Sequence, residues 1–380
     1  MGEESVDIIV IGLGAHGSSA LYHLSKTNKK VVGIDRYTPP HNHGSSHGQS
    51  RIIRQAYHEN PVYVPFVKAA YTLWEALERE TGKQLLVETG GLLLGGEDTT
   101  VVKGARLSAE THGIAYDYLD AADLRRLFPA FRPTDDTVAI WEKRAGILFP
   151  EECIRVCLEG AAANHAYIRC DETVLGIVPK KDSVEVTTSK GRYTAGKVIV
   201  SAGAWVGTLV PELKVPFTIE RQVVCWFEDK HQRSVSPFAP ERMPVYIWEY
   251  MPGKLFYGFP DLGHGIKIGF HHAGRRILPD ELQQDASAAE ISAIEEIAGE
   301  YLDIEPVFHS SSVCMYTNTP DENFIIDVHP ACANILIASP CSGHGFKFSS
   351  VIGKILCDWA TDRPVGFDLS PFAMGGMEKH

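Results

Sequence analysis

Long apolar runs and targeting signals are missing from this sequence of 380 residues. No stretch approaches the roughly 18 uninterrupted apolar residues that a transmembrane helix requires. Glu3 and Glu4 stand where a secretory signal would be basic, and the chain does not end in the peroxisomal signal Ser-Lys-Leu. We therefore expect neither a membrane span nor an exported or peroxisomal protein.

Cysteines are few, and none of them form a CxxC pair. The eight are Cys153, Cys157, Cys170, Cys225, Cys314, Cys332, Cys341 and Cys357. This scatter favours neither a disulfide framework nor a zinc site, and it is typical of a reducing compartment. The sequence therefore predicts a cytoplasmic protein without a bound metal.

Positive charge is also in short supply. Lys and Arg number 36 against 48 Asp and Glu, a net charge of −12, which argues against nucleic acid or an anionic membrane as a partner. A small anionic substrate stays open, because a local pocket can oppose the overall sign. The apolar share of 44% is that of an ordinary globular protein with a sizeable core, in one large domain or two.

The N-terminal segment has the order strand, helix, strand. Val6–Ile11 is a continuous apolar run, as expected for a parallel strand buried on both faces. A helical pattern follows through Leu21 and Leu24, and a second strand, KVVGID, ends at Asp35. This order predicts a βαβ unit of the kind that binds dinucleotides.

A glycine motif joins the first strand to the helix. Gly12, Gly14 and Gly17 fit G-x-G-x-x-G: the first allows a tight turn, the second lets backbone approach a pyrophosphate, and the third permits close packing of helix on strand. The helix N-terminus then offers N–H groups to the phosphate. Asp35 stands where a carboxylate hydrogen-bonds a ribose 2′-hydroxyl, which argues against NADP. FAD and NAD both remain open on this unit alone.

The rest of the chain alternates between two kinds of sheet. Strands are predicted at Ser183–Thr188, Gly196–Ser201 and the ILIAS run, and helices at Tyr63–Glu80, Ala286–Tyr301 and Lys347–Trp359. Between Pro216 and Val313, alternating aromatic-rich stretches such as KLFYGF and GIKIGFHH indicate an antiparallel sheet. Parallel α/β segments at the start, middle and end, with antiparallel segments between them, predict two domains built from interleaved segments.

Three further motifs carry a family resemblance. They are HGSSHGQSRIIRQAY at 43–57, CMYTNTPDENFIID at Cys314–Asp327 and SGHGFKFSS at Ser342–Ser350. In order and spacing, from Asp7 to about Phe372, the chain resembles the monomeric sarcosine oxidase and N-methyltryptophan oxidase family. The resemblance implies an α/β fold in which a glutathione-reductase-like FAD-binding domain (1–85, 150–215 and 318–380) is interleaved with a catalytic domain (86–149 and 216–317) that contains an antiparallel sheet.

The resemblance also implies FAD, linked covalently through its 8α position to the sulfur of Cys314. The cofactor contacts that it implies are Gly12, Gly14, Gly17, Asp35, Gly44, His47, Ser50, Val174, Gly343, Gly345, Phe346 and Lys347. Backbone N–H groups of Ser342–Lys347 are expected at the pyrimidine edge of the flavin. The family more commonly has SHHGDTR, from which Ser46, Gln49 and Ser50 depart; Gln49 removes a carboxylate, which leaves the minor contacts of that loop open.

Two pairs of cations match the family's active site. Arg54 and Lys347 match the residues that hold the substrate carboxylate, and an amino-acid oxidase in an acidic protein needs such local positive charge. Arg51 and Lys267 match positions beside the flavin ring, where an ammonium stabilises the superoxide that forms from O2. Lys267 shares a strand face with neither neighbouring Ile, and burying it there is costly unless it has a function.

Aromatic side chains and a histidine complete the implied site. His271 lies on the same strand face as Lys267 and resembles the histidine that helps to bind the amine, whereas His272 points the other way and is expected to be incidental. Tyr257 and Tyr316 resemble the aromatic pair that lines the amine pocket. Tyr246–Tyr250 falls where relatives differ, and Trp248 in it is a candidate for restricting substrate size.

The function implied is oxidation of a secondary amino acid, such as sarcosine or a related N-methyl amino acid. Oxygen would be the acceptor, and the products would be the demethylated amino acid, formaldehyde and H2O2. The resemblance implies a monomer with a small substrate and O2 as its partners and no obligate protein partner. Open alternatives are a cyclic imino acid such as L-pipecolate or proline, a bulkier substrate such as N-methyltryptophan, an amine dehydrogenase with a protein electron acceptor, and a non-enzymatic flavin-binding module. A folate-dependent demethylase is disfavoured, because 380 residues leave no room for a folate-binding domain.

Overall fold

The computed structural model describes residues 3–231 and 233–376. Its helices are α1 Ala15–Ser25, α2 Val64–Thr81, α3 Thr100–His112, α4 Ala121–Leu127, α5 Pro150–Ala163, α6 Val206–Leu209, α7 Ala288–Tyr301 and α8 Ser349–Ala360. Its strands are β1 Glu3–Ile11, β2 Val31–Ile34, β3 Arg51–Ile53, β4 Leu86–Glu88, β5 Gly91–Gly96, β6 Asp117–Leu119, β7 Thr137–Glu142, β8 Gly146–Leu148, β9 Tyr167–Arg169, β10 Val174–Pro179, β11 Val184–Thr188, β12 Arg192–Val200, β13 Thr218–Asp229, β14 Val245–Met251, β15 Lys254–Phe259, β16 Ile266–His271, β17 Pro306–Asn318, β18 Ile325–His329 and β19 Cys332–Ser339. No helix in these two ranges is long and apolar enough to cross a membrane.

The first sheet is built around parallel strands from the start, middle and end of the chain. β1 pairs in parallel with β2 and β12, β2 pairs with β9, and β12 pairs with β19. The N-terminal half of β12 pairs instead with β11, which continues into β10, while β18 closes the other side against β19. Because the parallel strands run in one direction, their carboxyl ends meet at a single edge of the sheet.

Both faces of this sheet are buried, as the apolar run of β1 predicts. Ile8 and Val10 pack into the core on the side of α1 and α8, whereas Ile9 and Ile11 pack on the opposite side. Each fully buried side chain of this size contributes roughly 1.5–3 kcal/mol through removal of apolar surface from water. Gly17 lets α1 approach the sheet, since a Cβ there would come within 1.8 Å of the Gly12 carbonyl oxygen.

The second sheet has the strand order β17-β13-β16-β15-β14-β5-β7-β6. The pairs from β13 to β17 are antiparallel, as the alternating stretches predict, and the β14–β5 pair is parallel. One face packs on α7 and the segment around Phe131 through a core that includes Phe256, Ile268 and Val313. The other face carries the intervening residues, among them Tyr257, Lys267 and Cys314, and is turned toward the first sheet. A third, small sheet has the order β3-β8-β4.

The helix predictions agree with the structure to within two residues at each end. Asn60 accepts a hydrogen bond from the Val62 N–H just before α2, and α2 ends at Gly82 with φ +66°. A capping box of Ser287 and Glu290 begins α7. The helix predicted from Lys347 instead starts at Ser349, because Phe346–Phe348 forms a 3₁₀ turn. The division into domains at residues 85, 149, 215 and 317 stays a prediction, and its outermost residues 1, 2 and 377–380, like residue 232, lie outside the described ranges.

Candidate active site

A cavity of about 490 Å³ lies between the first and second sheets. It begins at the carboxyl ends of the parallel strands, where Gly12, Asp35, Ser201 and Pro340 line it, and it ends on the inner face of the antiparallel sheet. The site residues predicted from the sequence that line it are Gly12, Gly14, Asp35, Gly44, His47, Ser50, Arg51, Arg54, Val174, Tyr257, Lys267, His271, Cys314, Tyr316, Gly343, Gly345, Phe346 and Lys347. Gly17 lies within α1, on the side that packs against the Gly12 turn, and does not line the cavity. The fold therefore brings distant segments of the sequence to one site.

The first end of the cavity is shaped for a dinucleotide. The N-cap residue of α1 is Gly14, which has no side chain to cap the helix; the Ala15 N–H makes a long hydrogen bond of 3.4 Å to Ser46 Oγ, and the N-terminus of the helix borders the cavity. A Cβ at Gly14 would enter the cavity, with Ser46 Oγ its nearest neighbour at 3.6 Å. Asp35 is buried, and its Oδ2 accepts from the Leu13 N–H at 2.7 Å while its Oδ1 accepts from the Tyr37 N–H at 2.8 Å. These bonds fix the carboxylate and leave further lone pairs for hydroxyl donors.

Lys267 and Arg51 meet the loop 44–50 at the other end of the cavity. The Lys267 ammonium donates to Gly48 O at 2.7 Å, Ser50 O at 3.0 Å and Ser50 Oγ at 3.1 Å. Arg51 donates to Ser45 O at 2.7 Å, His47 O at 2.5 Å and Ser50 O at 2.8 Å. The loop thus turns its carbonyl oxygens toward two cations. Burial lowers the pKa of Lys267 well below its usual range, and the Arg51 charge lowers it further.

Glu151, at the start of α5, holds the same loop from behind. Its Oε1 accepts from the Gly48 N–H at 2.7 Å and the Gln49 N–H at 3.1 Å. Gly48 and Gln49 have φ of +96° and +69°, so that the loop depends on such anchors. Gln49 has no carboxylate to offer the loop backbone, and Glu151 of α5 supplies one to the N–H groups of Gly48 and Gln49 instead.

Cys314 is a free thiol in the cavity wall, on β17. It is 8% exposed, and burial raises its pKa while the charges of Arg51 and Lys267 lower it. His47 lies nearby, with Nδ1 3.3 Å from Ser312 Oγ and Nε2 buried without a hydrogen-bond partner among the described residues.

Arg54 and Lys347 lie together in the buried part of the wall. Arg54 donates from Nη2 to both oxygens of Glu59, at 2.7 and 2.6 Å, and its Nε is buried without a partner in the described ranges. Although burial raises the pKa of Glu59, the Arg54 charge outweighs it and holds that pKa well below its usual value. Lys347 donates to His344 O at 2.8 Å, and burial lowers its pKa to about 7.

His271 and the two tyrosines form the remaining wall. His271 Nδ1 lies 3.2 Å from the Tyr316 hydroxyl, and the two ring centroids are 5.4 Å apart. Burial lowers the pKa of His271 well below its ordinary value, so that the imidazole is neutral. Burial raises the pKa of Tyr257 to about 12 and keeps its hydroxyl protonated. Both tyrosines are therefore donors, and His271 can accept a proton.

Comparison with known proteins gives the chain its family. A family model described as DAO, FAD-dependent oxidoreductase, matches residues 7–359. The chain belongs to this family. The monomeric sarcosine oxidase of Streptomyces avermitilis is 40% identical over 95% of this chain and 96% of its own length. An N-methyl-L-tryptophan oxidase of Citrobacter koseri is 36% identical over 97% of this chain and 98% of its own length. The resemblance inferred from the three motifs is confirmed.

Solved structures agree on the fold. NikD, an amino acid oxidase of nikkomycin biosynthesis, superimposes with a TM-score of 0.85 over 99% of both chains at 22% identity. The L-proline dehydrogenase from P. horikoshii gives 0.84 over 98% of both chains at 20% identity. The expected mixed α/β fold with several sheets is thereby confirmed.

The residues at this site fit the FAD of the family. The uncapped start of α1 and the space beside Gly14 suit a diphosphate, and Asp35 suits a ribose hydroxyl. At the far end, Cys314 and His47 line the cavity, and the Cys314 thiol is available for a flavin. Arg36, Trp205 and Asp280 also line the dinucleotide end and bond to one another through Asp280 Oδ1, at 2.7 and 2.9 Å. No sequence pattern indicates this trio, because Asp280 comes from a 3₁₀ turn far along the chain.

One sequence prediction about the pocket is wrong. Trp248 packs in the core of the second sheet, with its ring stacked on Phe256 at 5.8 Å, and is not part of the cavity wall. Its neighbour Ile247, on the opposite face of β14, lines the cavity together with Val224 of β13. The aliphatic pair, and not the indole, therefore lines the cavity. Glu59 and Glu151 could not be predicted as site residues, since an isolated acidic residue in an acidic chain forms no recognisable motif.

Proposed function

We propose that this protein oxidises a secondary amino acid with O2. For sarcosine the balanced reaction is sarcosine, O2 and H2O giving glycine, formaldehyde and H2O2. The observation that carries the proposal is the gathering of Arg54, Lys347, neutral His271 and Lys267 around one buried cavity end. Relatives at 36–40% identity that are named for sarcosine and N-methyl-L-tryptophan support it.

The substrate carboxylate is held by Arg54 and Lys347. Arg54 and Lys347 both line the cavity, and the N–H groups of the Lys347 ammonium that do not bind His344 O offer donors to an anion. Both cations are buried, so that water competes little for the carboxylate. Glu59 neutralises Arg54 in the absence of a ligand, and a bound carboxylate shares or takes over that partner.

The amine is held in its neutral form. A neutral His271 can hydrogen-bond the neutral amine, and the faces of Tyr257 and Tyr316 pack on the N-alkyl group. No strong carboxylate base faces His271 at hydrogen-bond distance among the described residues, which suits direct transfer of a hydride equivalent from carbon. FAD, when bound, accepts that hydride equivalent and passes the electrons to O2.

Lys267 serves the oxygen step. Its amine nitrogen donates to three oxygen acceptors, which favour the ammonium form against the burial that lowers its pKa, and the positive charge at the cavity wall would stabilise superoxide. Cys314 supplies the thioether link to the flavin, which would prevent loss of the cofactor. The free state of all eight cysteines supports the expectation of a reducing, cytoplasmic environment, and we propose a monomer that needs no protein partner.

The test is a peroxide-release screen of the flavin-loaded protein with sarcosine, N-methyl amino acids, N-methyltryptophan, pipecolate, proline and glycated amino acids. Release of equal amounts of H2O2 and formaldehyde with an N-methyl amino acid supports the proposal. Peroxide without formaldehyde, from pipecolate or proline, assigns the cyclic imino acid reaction instead. Bleaching of the flavin without peroxide assigns a dehydrogenase, and no bleaching by any amine contradicts the enzymatic function.

A further inference from the structure

A buried carboxylate lies directly behind the amine-binding wall. Glu220 of β13 pairs across from Tyr316 of β17 and is 7% exposed. Its Oε1 accepts from the Gly274 N–H and from Gln222 Nε2, both at 2.7 Å, and its Oε2 accepts from Asn318 Nδ2 at 2.8 Å. This set of donors fixes the carboxylate in its ionised form.

His272, the residue that follows β16, lies between this carboxylate and the active site. His272 Nδ1 lies 3.3 Å from Glu220 Oε2, and the backbone adopts φ +53°, which is uncommon for a residue with a Cβ. Its ring centroid is 4.1 Å from that of His271 and 5.4 Å from that of Tyr316, both in edge-to-face geometry. His272 does not line the cavity; its side chain is 22% exposed and therefore in reach of solvent protons.

Several titratable groups face these two imidazoles. They are Glu220 of β13, Tyr257 of β15, Tyr316 of β17, Glu322 after β17, His58 and Glu59 before α2, and His344 before α8. Burial lowers the pKa of His272, but the hydrogen bond to Glu220 and the charges of Glu322 and Glu59 outweigh it and raise the pKa above its ordinary value. For His271, burial lowers the pKa, and positive charge on His272 lowers it further.

We propose that His272, held by Glu220, is a positioning residue that keeps the His271 ring neutral and fixed against Tyr316. A protonated His272 places a positive charge one ring away from the amine site without entering it, and the Glu220 carboxylate balances that charge. This inference rests on the proposed amine oxidation, since it assigns the control of protonation at that same site.

The sign of the effect follows from the charge. Below its raised pKa, His272 is cationic and disfavours a second proton on His271 or on the bound amine; above that pKa the effect is lost. Replacing His272 by Asn, a residue that tolerates positive φ, removes the cation and leaves Glu220 ionised. We expect the apparent pKa for anaerobic flavin reduction to rise by about one pH unit, the effect of losing one like charge at this distance. Reduction slows about tenfold below that pKa and keeps its high-pH rate.

The measurement is stopped-flow flavin reduction across pH with the best substrate of the screen. His272→Lys, which restores a cation, should bring the profile back toward that of the unaltered protein. His309→Asn is the matched control: His309 also pairs with a glutamate of β13, Glu228 at 3.2 Å, but on the exposed edge. Uniform slowing at every pH in His272→Asn, without a shift, would overturn the proposal.

A second measurement needs no turnover. In protein labelled with ¹⁵N-histidine, the imidazole signal absent from His272→Asn should titrate above the ordinary histidine pKa, while His271 stays neutral. A His272 signal that titrates at or below the ordinary value overturns the proposal even if the variant folds poorly. Failure of every substrate to bleach the unaltered enzyme would reject the proposed function alone, because the titration of His272 is independent of it.

Discussion

Two buried lysines at the cavity differ in how their ammonium groups are satisfied. An ammonium has three donors, and Lys267 uses them on three oxygens of Gly48 and Ser50. Lys347 donates to His344 O, and no second oxygen acceptor occurs for it among the described residues. The donors of Lys267 are therefore all used by the protein, whereas Lys347 has N–H donors left for a ligand.

The carboxylate site should lose affinity as pH rises through the pKa of Lys347. Burial lowers that pKa to about 7, so that Lys347 is cationic below pH 7 and becomes neutral above it. Binding of a non-oxidisable carboxylate such as acetate, followed by the flavin spectrum, should weaken by up to tenfold per pH unit above the pKa of the unliganded protein, until the higher pKa of the complex is reached. Lys347→Met should bind weakly at all pH values and lose this dependence. A dependence that persists in the variant would contradict the assignment.

Lys267→Met should separate the two halves of the catalytic cycle. Loss of the ammonium removes the charge that stabilises superoxide, and we expect the reaction with O2 to slow by about 100-fold or more. Anaerobic reduction by substrate should change far less. Lys254→Met, on the exposed end of β15, is the control and should alter neither step. Equal slowing of both steps would remove the oxygen role from Lys267.

Among the elements, the loop between β19 and α8 is the most sensitive to added bulk. Gly343 has φ +78°, and a Cβ there would lie 2.5 Å from the Tyr316 ring and 2.8 Å from His271 Cε1. Gly263 has φ +99° with nothing within 4 Å of its Cβ position. Both glycines therefore have a positive φ, but only at Gly343 would an added Cβ collide with neighbouring side chains.

Gly343→Ala should lower both stability and the rate of flavin reduction. Positive φ alone costs about 1–3 kcal/mol in either variant, and only Gly343→Ala also displaces Tyr316 and His271. Misplacement of reacting groups by an ångström can cost about 100-fold in rate. In Gly263→Ala, thermal unfolding should show a loss of stability comparable to that of Gly343→Ala, whereas stopped-flow measurement should show an unchanged rate of flavin reduction. An unchanged rate in Gly343→Ala would show that the loop yields without moving the wall.

Regular elements could be predicted from the sequence, whereas side-chain partners could not. The apolar run and glycine motif place β1, α1 and β2 within three residues, since periodicity and turn chemistry are local properties. Trp248 was misassigned because a one-residue uncertainty in register moves a strand side chain to the opposite face. Glu59, Glu151 and Glu220 find their partners through tertiary packing, which leaves no trace in spacing. His272 gained its carboxylate partner in the same way.

At the scale of the whole molecule, the two large sheets share one cavity, in which a single cofactor would contact both. Walls from both sheets would contact FAD, so that bound FAD adds its binding free energy to folding. A covalent link would make this contribution independent of free FAD.

Cys314→Ala should therefore convert a permanent stabiliser into an exchangeable one. The unaltered protein should stay yellow after acid precipitation, and its melting temperature should not respond to added FAD. The variant should release flavin in acid, and its melting temperature should rise with FAD concentration. Cys332→Ala, at the edge of the first sheet, serves as the control thiol. Release of flavin from the unaltered protein would contradict the covalent link.

The split pairing of β12 has a consequence for how the chain is made. The C-terminal half of β12 pairs with β19, which ends at residue 339 of 380 and is therefore synthesised late. The N-terminal βαβ unit, which β12 also joins, leaves the ribosome first. Until β19 follows, the nascent protein exposes an unpaired edge of a very apolar sheet, a surface that attracts chaperones and other chains. Almost the whole chain must therefore be synthesised before the walls of the cavity are complete. Premature termination upstream of β19 should thus yield insoluble fragments that cannot be rescued by flavin.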